Sequence, residues 1–546
     1  MKKIFKALAL CALVVSAASC SKSRAEQMKL AENVNIDCTP EVLALVGDKI
    51  NATITVTYPA KYFHPKATLE VTPVLVYEGG EQTGPTFTYQ GDKVKDNYTV
   101  VSYDGGTVTQ KVAFDYVKGV EKSYLELRST AFYGGSPIEI PAIKVADGCN
   151  VTQLLATTGG EFGFKKDAYQ DVIVESTEGQ VMYNVNSSVV KNSELRSQSV
   201  KDFQAALEEV ASDERYTITG TKVVAYASPE GGEKHNAELS DKRAASAQKV
   251  WDKVTKGMTA DNLEVQSVGQ DWEGFQEAIQ NSNIEDKELI LRVLSMYSDP
   301  AVRESEIKNM SAIYTEISKN VFPELRRARF VADLEYRNFS NEELEELSRK
   351  AIDALGEEAL LRVAANSEDA ARKAELYKLT ANKFASDRAK FNLAVLALQA
   401  GNVAEAEAHL ASVKVSDADV VNAKGVCEWR KGNLDKAAQL FKQAGTAEAK
   451  ANLGTIQLVQ GDYATAAATL ASTDSHNLAI AYILSGDLAK AEKAITCNCA
   501  RSNYLRAVIA ARKGNASDVK KYLEVAGKTP AFAQRAEKDV EFANYR

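Results

Sequence analysis

The chain has 546 residues, of which 45% are hydrophobic and 26% are charged, and its formal net charge is −8. This length is enough for three or four domains, each large enough to bury its own hydrophobic core. The acidic balance, and the lack of a basic stretch with interleaved aromatic residues, argue against a nucleic-acid partner.

Residues 1–20 have the pattern of a secretory signal peptide. A basic head precedes an apolar centre that is too short to span a membrane, and small residues stand directly before Cys20. This ending resembles the lipobox of bacterial lipoproteins, which implies cleavage before Cys20 and a lipid on that cysteine. Residues 21–34 are predicted to be a linker, and they lack the acidic run that resembles a surface-export signal. The resemblance therefore implies a lipid anchor on the periplasmic side of the outer membrane.

The region 35–175 is predicted to be all-β. Runs of β-branched and aromatic residues, such as Ala52–Tyr58 and Thr107–Tyr116, are separated by turns that carry Gly, Asp and Asn. Five or more strands separated in this way predict an immunoglobulin-like sandwich. Such a domain serves as a spacer or as an interaction module, and the sequence does not choose between the two.

The cysteines are interpreted by their positions. Cys38 and Cys149 lie near the two ends of the first region, and in an oxidising periplasm they could form a disulfide; two buried free thiols are the alternative. Cys427 is predicted to be a core residue. Cys497 and Cys499 lie between two repeat units with no histidine or further cysteine close in sequence, so no metal site is predicted there, while a strained or redox-active pair stays open.

The stretch Val223–Trp251 organises the centre of the chain. A buried strand, a polar loop with Gly231 and Gly232, and an amphipathic helix follow one another. The start of the helix presents backbone N–H groups and the cation of Arg243 at one edge. This arrangement suits the capture of an anionic group.

The same stretch resembles the signature of OmpA-like peptidoglycan-binding domains. The residues that carry the resemblance are, in order, Gly231, Asn236, Leu239, Ser240, Arg243 and Ala244. Segments 183–186 and 323–327 resemble the opening and closing strands of that domain, so the region 176–339 is predicted to be α+β and OmpA-like. Apolar-periodic segments at 271–320 are expected to form an insert of helices beside the sheet, as in lipoproteins of the Bacteroidales group.

The resemblance also implies a ligand site. It assigns Arg243 to the carboxylate of peptidoglycan diaminopimelate and Asn236 to the ligand loop. Where the family usually has an aspartate for the ammonium group, this chain has Ser228, and Glu230 could take over that contact. The alternative is a domain that keeps the fold and has lost or changed its ligand.

From residue 340 to 546 the composition shifts to helix formers, and a repeat emerges. Glycines followed by Asn or Asp recur at intervals of 25 to 31 residues, at Gly401, Gly432, Gly461, Gly486 and Gly514. A small residue stands seven positions before each glycine, and another stands five positions after all but the last, where Val519 departs. Helices that cross closely around a short turn need such small residues.

This pattern resembles shortened tetratricopeptide repeats. The resemblance implies an all-α solenoid whose concave face binds an unidentified protein partner, and an array that only spaces domains is the alternative. Catalysis is not expected. The four histidines, His64, His235, His409 and His476, are scattered, and the sequence has no HExxH motif, Cys-His constellation or nucleophile elbow.

The combined prediction is a multidomain, non-catalytic lipoprotein without cofactor or metal. Its lipid holds one end at the outer membrane, its OmpA-like domain contacts peptidoglycan, and its repeats recruit a protein. Two contacts on one chain raise the effective concentration of the second. The alternative is an assembly or secretion scaffold for surface or fimbrial components that has no affinity for peptidoglycan.

Overall fold

The protein is described by a computed structural model. The residues that it describes are 34–133, 136–258, 262–473 and 475–546. The predicted signal peptide and the lipidation site at Cys20 lie outside these ranges. Within them, no helix combines the length and the apolar character that a membrane crossing requires.

The chain divides into two compact units. The first unit joins the N-terminal region, as far as Lys165, to the C-terminal region from Tyr377 to Arg546. The second unit comprises Lys166–Leu376. Each unit is described separately below.

Strands form the N-terminal part of the first unit. They are β1 (Asn35–Thr39), β2 (Val42–Val46), β3 (Lys49–Tyr58), β4 (Thr68–Tyr77), β5 (Gly80–Thr83), β6 (Phe87–Gln90), β7 (Thr99–Val100), β8 (Gly106–Asp115), β9 (Ser123–Tyr133) and β10 (Ser136–Asn150). β3 pairs antiparallel with β1, β2 and β8, and β4 pairs antiparallel with β5, β6 and β9. β2 also pairs with β10, so the ten strands form one continuous hydrogen-bonded sheet.

Alternate residues of these strands enter one hydrophobic core, as the two-residue period of a strand requires. Ile50 of β3, Phe114 of β8 and Leu125 of β9 are all buried in it. The predicted sheet-rich N-terminal region is therefore confirmed. Its immunoglobulin-like topology stays a prediction.

Cys38 and Cys149 are both buried in this core as free thiols. Burial raises the pKa of Cys38 to about 11 and that of Cys149 to about 12. The disulfide considered from the sequence is not formed, and the structure has the alternative of two buried thiols. Thiols with such raised pKa values are largely unreactive at neutral pH.

A four-stranded sheet forms the centre of the second unit. Its strands are β11 (Val172–Met182), β12 (Tyr216–Ala227), β13 (Leu263–Gln270) and β14 (Arg327–Arg337). Their order is β11-β14-β12-β13, with β13 parallel to β12 and the other pairs antiparallel. Three helices accompany the sheet: α1 (Gln198–Ser212), α2 (Glu233–Gln248) and α3 (Trp251–Thr255). Phe203, Trp251 and Phe330 meet in the core between them.

The predicted helical insert follows β13. Its helices are α4 (Trp272–Asn281), α5 (Lys287–Met296), α6 (Pro300–Asn309) and α7 (Ser311–Asn320), and α8 (Phe322–Leu325) leads into β14. The side chains of Asp271 and Asp299 cap α4 and α6. The insert has a hydrophobic cluster of its own, which includes Phe275, Ile290 and Ile317. After β14 come α9 (Asn341–Lys350) and α10 (Glu357–Asn366), which also belong to the second unit.

The C-terminal part of the first unit is all-helical. After α11 (Ala370–Phe384), which crosses the unit boundary, come α12 (Asp387–Gln399), α13 (Val403–Ser412), α14 (Ala418–Arg430), α15 (Leu434–Ala444), α16 (Ala447–Val459), α17 (Tyr463–Leu470), α18 (His476–Ser485), α19 (Leu488–Ala494), α20 (Ala500–Arg512), α21 (Ala516–Ala526) and α22 (Pro530–Lys538). We call α12, α14, α16, α18 and α20 the first helices, because each opens a helix pair.

The repeat glycines end the first helices, as predicted. All five have φ between 76° and 88°, a left-handed conformation that glycine adopts without strain. The predicted small residues lie where the paired helices cross. A Cβ on Gly425 would lie 2.5 Å from the ring of Phe441, and one on Gly454 would lie 2.5 Å from Leu470.

Candidate functional site

The residues predicted to bind peptidoglycan lie around the loop that joins β12 to α2. The buried Asn236 donates from Nδ2 to the carbonyl oxygens of Ser228 (3.1 Å) and Gly231 (2.7 Å). The Ser228 hydroxyl donates to Glu230 Oε1 at 2.8 Å. The structure therefore brings these residues together, but by bonds that hold the loop to itself.

Arg243 lies on α2 behind this loop and is only 1% exposed. Its guanidinium donates to three backbone carbonyl oxygens, those of Tyr226 (2.8 Å), Ser187 (3.0 Å) and Asn184 (3.3 Å). It also lies 5.0 Å from the centre of the Tyr183 ring. Burial lowers the pKa of Arg243 to about 10, and the side chain stays a cation at neutral pH. The contacts of this arginine connect α2 to β12 and to the segment after β11.

Glu230 already has a cationic partner. Arg326, just before β14, donates to its two carboxylate oxygens at 2.8 and 3.0 Å, which is the bidentate geometry of a strong ion pair. The next residue, Arg327, pairs with Asp271 at 3.0 Å. The sequence motif that closes the domain therefore supplies the partner of Glu230, a role that the sequence did not predict.

An open cleft of about 500 Å³ lies beside this network, lined by Asn184, Val185, Pro323, Glu324 and Arg326 among others. The neighbouring network combines three arginines, Arg243, Arg326 and Arg327, with the two carboxylates of Glu230 and Asp271. The exposed Glu324 also lines the cleft, so these six side chains together carry no net charge.

A second site, which the sequence did not predict, lies on the first helices of the repeats. Residues 155–165, here called the inner segment, follow β10 and lie along these helices. Three asparagines form paired hydrogen bonds with its backbone, each accepting from an N–H and donating to the C=O of the same residue. The pairs are Asn477 with Thr157 (2.8 and 2.9 Å), Asn452 with Glu161 (2.5 and 2.8 Å) and Asn392 with Lys165 (2.8 and 3.0 Å).

All three asparagines are at most 3% exposed. A fourth, Asn422 on α14, donates to the carbonyl oxygen of Glu161 at 2.9 Å. Arg430, also on α14, donates twice to the carbonyl oxygen of Gly159, at 2.9 and 2.8 Å. These contacts recognise backbone atoms, so they fix the path of the segment without selecting its side chains.

Apolar and charged side chains of the inner segment add to this binding. Phe162 and Phe164 pack against the hydrophobic core of the repeats. Arg430 lies over the Phe162 ring, 5.4 Å from its centre, and Lys165 pairs with Asp417 at the start of α14. The face formed by the first helices is therefore occupied by the protein's own chain.

A sequence signal for this site exists in retrospect. Asparagines recur on the first helices at positions 392, 422, 452, 477 and 503, at intervals of 25 to 30 residues that are close to those of the repeat glycines. Buried asparagine needs hydrogen-bond partners, so a periodic set of them on a core-facing surface indicates a bound backbone. The last of the set, Asn503, donates instead to Asn498 and to the carbonyl oxygen of Cys499.

Comparisons with known proteins bear on the helical region. A model of the tetratricopeptide repeat family matches residues 388–412 and 447–472. The C-terminal region therefore contains tetratricopeptide repeats, which are protein-interaction modules. A search of curated proteins gives no match.

Solved structures show only distant likeness. The chain is 15% identical to a tetratricopeptide repeat protein from Parabacteroides merdae ATCC 43184, over 36% of this chain and 90% of that one, with a TM-score of 0.29. It is 14% identical to pilF of Pseudomonas aeruginosa, over 38% of this chain and 97% of that one, also with a TM-score of 0.29. Scores this low carry no argument about function.

Proposed function

We propose that this protein is a non-catalytic scaffold of the bacterial cell envelope in which the repeats use their first-helix face to clamp the inner segment. The observation that carries the proposal is the set of three paired asparagine–backbone contacts along that segment. Each of these asparagines is buried, and its amide would lose both bonds to the segment backbone if the segment left. Asn452 and Asn477 would keep only their bonds to Asn422 and Thr455. The inner segment is therefore the resident ligand of the repeats.

The clamp has a consequence for protein partners. A tethered ligand has a high effective concentration, so an external peptide competes poorly for the same face. A partner that binds there must displace residues 155–165 and must itself offer an extended backbone with aromatic side chains. Repeats whose first-helix face is already occupied correspond to the alternative of an array that only spaces domains more than to a free recruiting array.

A labelled peptide with the sequence of residues 155–165 tests the clamp. We expect no binding to the wild-type chain at concentrations where a variant with Gly160→Val, Phe162→Ala and Phe164→Ala binds it. Adding Asn452→Ala to that variant should abolish the binding. A folded triple variant that fails to bind the peptide contradicts the proposal.

The location in the envelope is part of the same proposal. The lipid anchor at Cys20 and the periplasmic side of the outer membrane rest on the signal-type sequence of residues 1–20, with its small residues directly before the cysteine. Mass spectrometry of the protein purified from membranes tests this directly. An unmodified Cys20 in the mature chain argues against the anchor.

Peptidoglycan contact through the central domain is a second candidate function. It is supported by the open cleft lined by Arg326 and Glu324, a cation and a carboxylate that suit the carboxylate and ammonium groups of the wall peptide. Wild-type protein that pellets with isolated sacculi, while Arg326→Ala does not, supports this contact. Arg329→Ala is the matched control, because Arg329 pairs with Glu178 on the sheet. Wild-type protein that stays in solution overturns it.

A further inference from the structure

Two cysteines and one histidine converge between the last repeats. Cys497 and Cys499 stand in the turn before α20, and His476 is the first residue of α18. The two sulfur atoms are 3.3 Å apart, and each lies 3.4 Å from His476 Nε2. The Ser502 hydroxyl lies 2.9 Å from both Cys497 Sγ and His476 Nε2.

The repeat architecture explains this convergence. His476 and Cys499 stand at the starts of two successive first helices, and stacked repeats place equivalent positions side by side. His476 precedes Cys499 by 23 positions in the sequence, and the residues between them fold into the helix pair α18 and α19. His476 is therefore close to the two cysteines in space, although it is not close to them in sequence.

We propose that Cys497, Cys499 and His476 bind one Zn²⁺ ion, with the fourth position taken by water or by the Ser502 hydroxyl. Two thiolates and one imidazole are a donor set that zinc prefers. A tetrahedral zinc ion with Zn–S of about 2.3 Å and Zn–N of about 2.0 Å places its ligand atoms roughly 3.5–3.8 Å apart. The three separations in the structure come within a few tenths of an ångström of that range.

The cysteines of this site differ from the other described cysteines, Cys38, Cys149 and Cys427, which are buried in hydrophobic cores. Burial raises the pKa of each of those three thiols, which disfavours the thiolate that a metal needs. Cys497 and Cys499 are also exposed, so an ion can reach them from solution.

Arg506 holds the turn that carries the cysteines. Arg506 on α20 donates to the carbonyl oxygens of Cys497 (2.9 Å) and Ile495 (3.3 Å), which fixes the backbone of the turn. Zinc at this place would join the start of α18 to the turn before α20. Binding would release the protons of the thiols, and the fourth coordination position would face Ser502 or solvent.

Cobalt substitution of the reduced full-length chain tests the proposal. We expect one Co²⁺ per chain with a thiolate-to-metal charge-transfer band and the visible bands of tetrahedral cobalt, both removed by one equivalent of Zn²⁺. Cys497→Ser, Cys499→Ser and His476→Gln should each lose this signal. Cys427→Ser, which changes a buried cysteine elsewhere in the repeats, should keep it.

A second measurement distinguishes loss of metal binding from misfolding of the variants. Zn²⁺ should raise the melting temperature of wild type and of Cys427→Ser but not that of the three ligand variants, whose circular dichroism should match wild type. Reduced wild-type protein that shows no thiolate charge-transfer band overturns the proposal. So does an equal band in the Cys499→Ser variant, or a Cys497–Cys499 disulfide that persists under the reducing conditions of the titration.

Discussion

At the scale of single residues, the polar side chains that matter most are buried and bonded to backbone atoms. Arg243 donates to three carbonyl oxygens, and Asn452 binds both the N–H and the C=O of Glu161. Buried polar groups cost free energy unless they are paired, so such residues are held in place by the fold around them. Their first role is structural, whatever ligand the protein binds.

Replacement of Arg243 is therefore expected to act on stability. Arg243→Ala leaves three carbonyl oxygens without their donor and should lower the free energy of unfolding by about 3 kcal/mol. Chemical denaturation measures this loss, with Arg329→Ala as a surface control that should change little. A stable Arg243→Ala protein contradicts the structural role. A loss of sacculus binding in this variant would not by itself identify a ligand contact.

Glu428 gives a prediction about acid. Hydrogen bonds from Lys436, Asn433 and Lys431 lower the pKa of its carboxyl from 4.5 to about 2. Because the folded state favours the charged form, Glu428 stabilises the protein fully above the ordinary pKa, and this stabilisation is lost as the pH falls towards 2.

The melting temperatures of wild type and Glu428→Gln should thus differ most near neutral pH. The difference should shrink between pH of about 5 and about 2 as the wild-type carboxylate gains its proton. Thermal unfolding at a series of pH values measures it. A difference that stays constant over this range contradicts the assignment.

At the scale of elements, the sequence predicted the repeats, but it did not predict that the inner segment binds to them. The glycines, the small crossing residues and the amphipathic helices are local signals, and each repeat glycine adopts the left-handed conformation that its position indicates. The pairing of Asn452 with Glu161 spans 291 residues, and that of Glu230 with Arg326 spans 96. Contacts between residues this far apart in sequence depend on tertiary packing, which local sequence patterns do not predict.

The inner segment itself provides a test at this scale. A Cβ on Gly160, which has φ of 90°, would lie 2.8 Å from the Val426 side chain, whereas one on Gly163 would meet nothing within 4 Å. Gly160→Ala should therefore loosen the segment, and Gly163→Ala should not. Trypsin, which cuts after lysine, should cleave at Lys165 faster in the first variant only. Equal cleavage rates would show that the close contact at Gly160 does not hold the segment.

At the scale of the first unit, several side chains join the sheet region to the repeats, among them Tyr463, which donates to the carbonyl oxygen of Leu45 at 3.1 Å, and Gln153. Gln153 accepts from the Gly47 N–H (3.1 Å) and the Tyr463 hydroxyl (2.8 Å), and it donates to the carbonyl oxygens of Gly47 (2.9 Å) and Val459 (3.0 Å). Gly47 belongs to the sheet region, and Val459 and Tyr463 belong to the repeats. The boundaries predicted from the sequence placed these parts in separate domains. A shift in composition indicates where one region ends, but it carries no information about which regions pack together.

This junction predicts cooperative unfolding of the first unit. Gln153→Ala removes four hydrogen bonds of a 4% exposed side chain and should lower the stability of the unit by about 3 kcal/mol. It should also begin to separate the unfolding of the sheet region from that of the repeats. Denaturation followed by fluorescence and by helical circular dichroism measures both effects. Gln82→Ala, whose half-buried side chain bonds within the sheet region, is the control.

Hydrogen exchange at the inner segment tests the central claim most directly. The amides of Thr157, Glu161 and Lys165 each donate to a buried asparagine, so we expect them to exchange as slowly as the core amides of the first helices. Asn452→Ala should speed the exchange of Glu161, whereas Asn503→Ala, whose asparagine does not touch the segment, should not. Rapid exchange of all three amides in the wild-type protein would mean that the repeats do not hold this segment, and it would contradict the account.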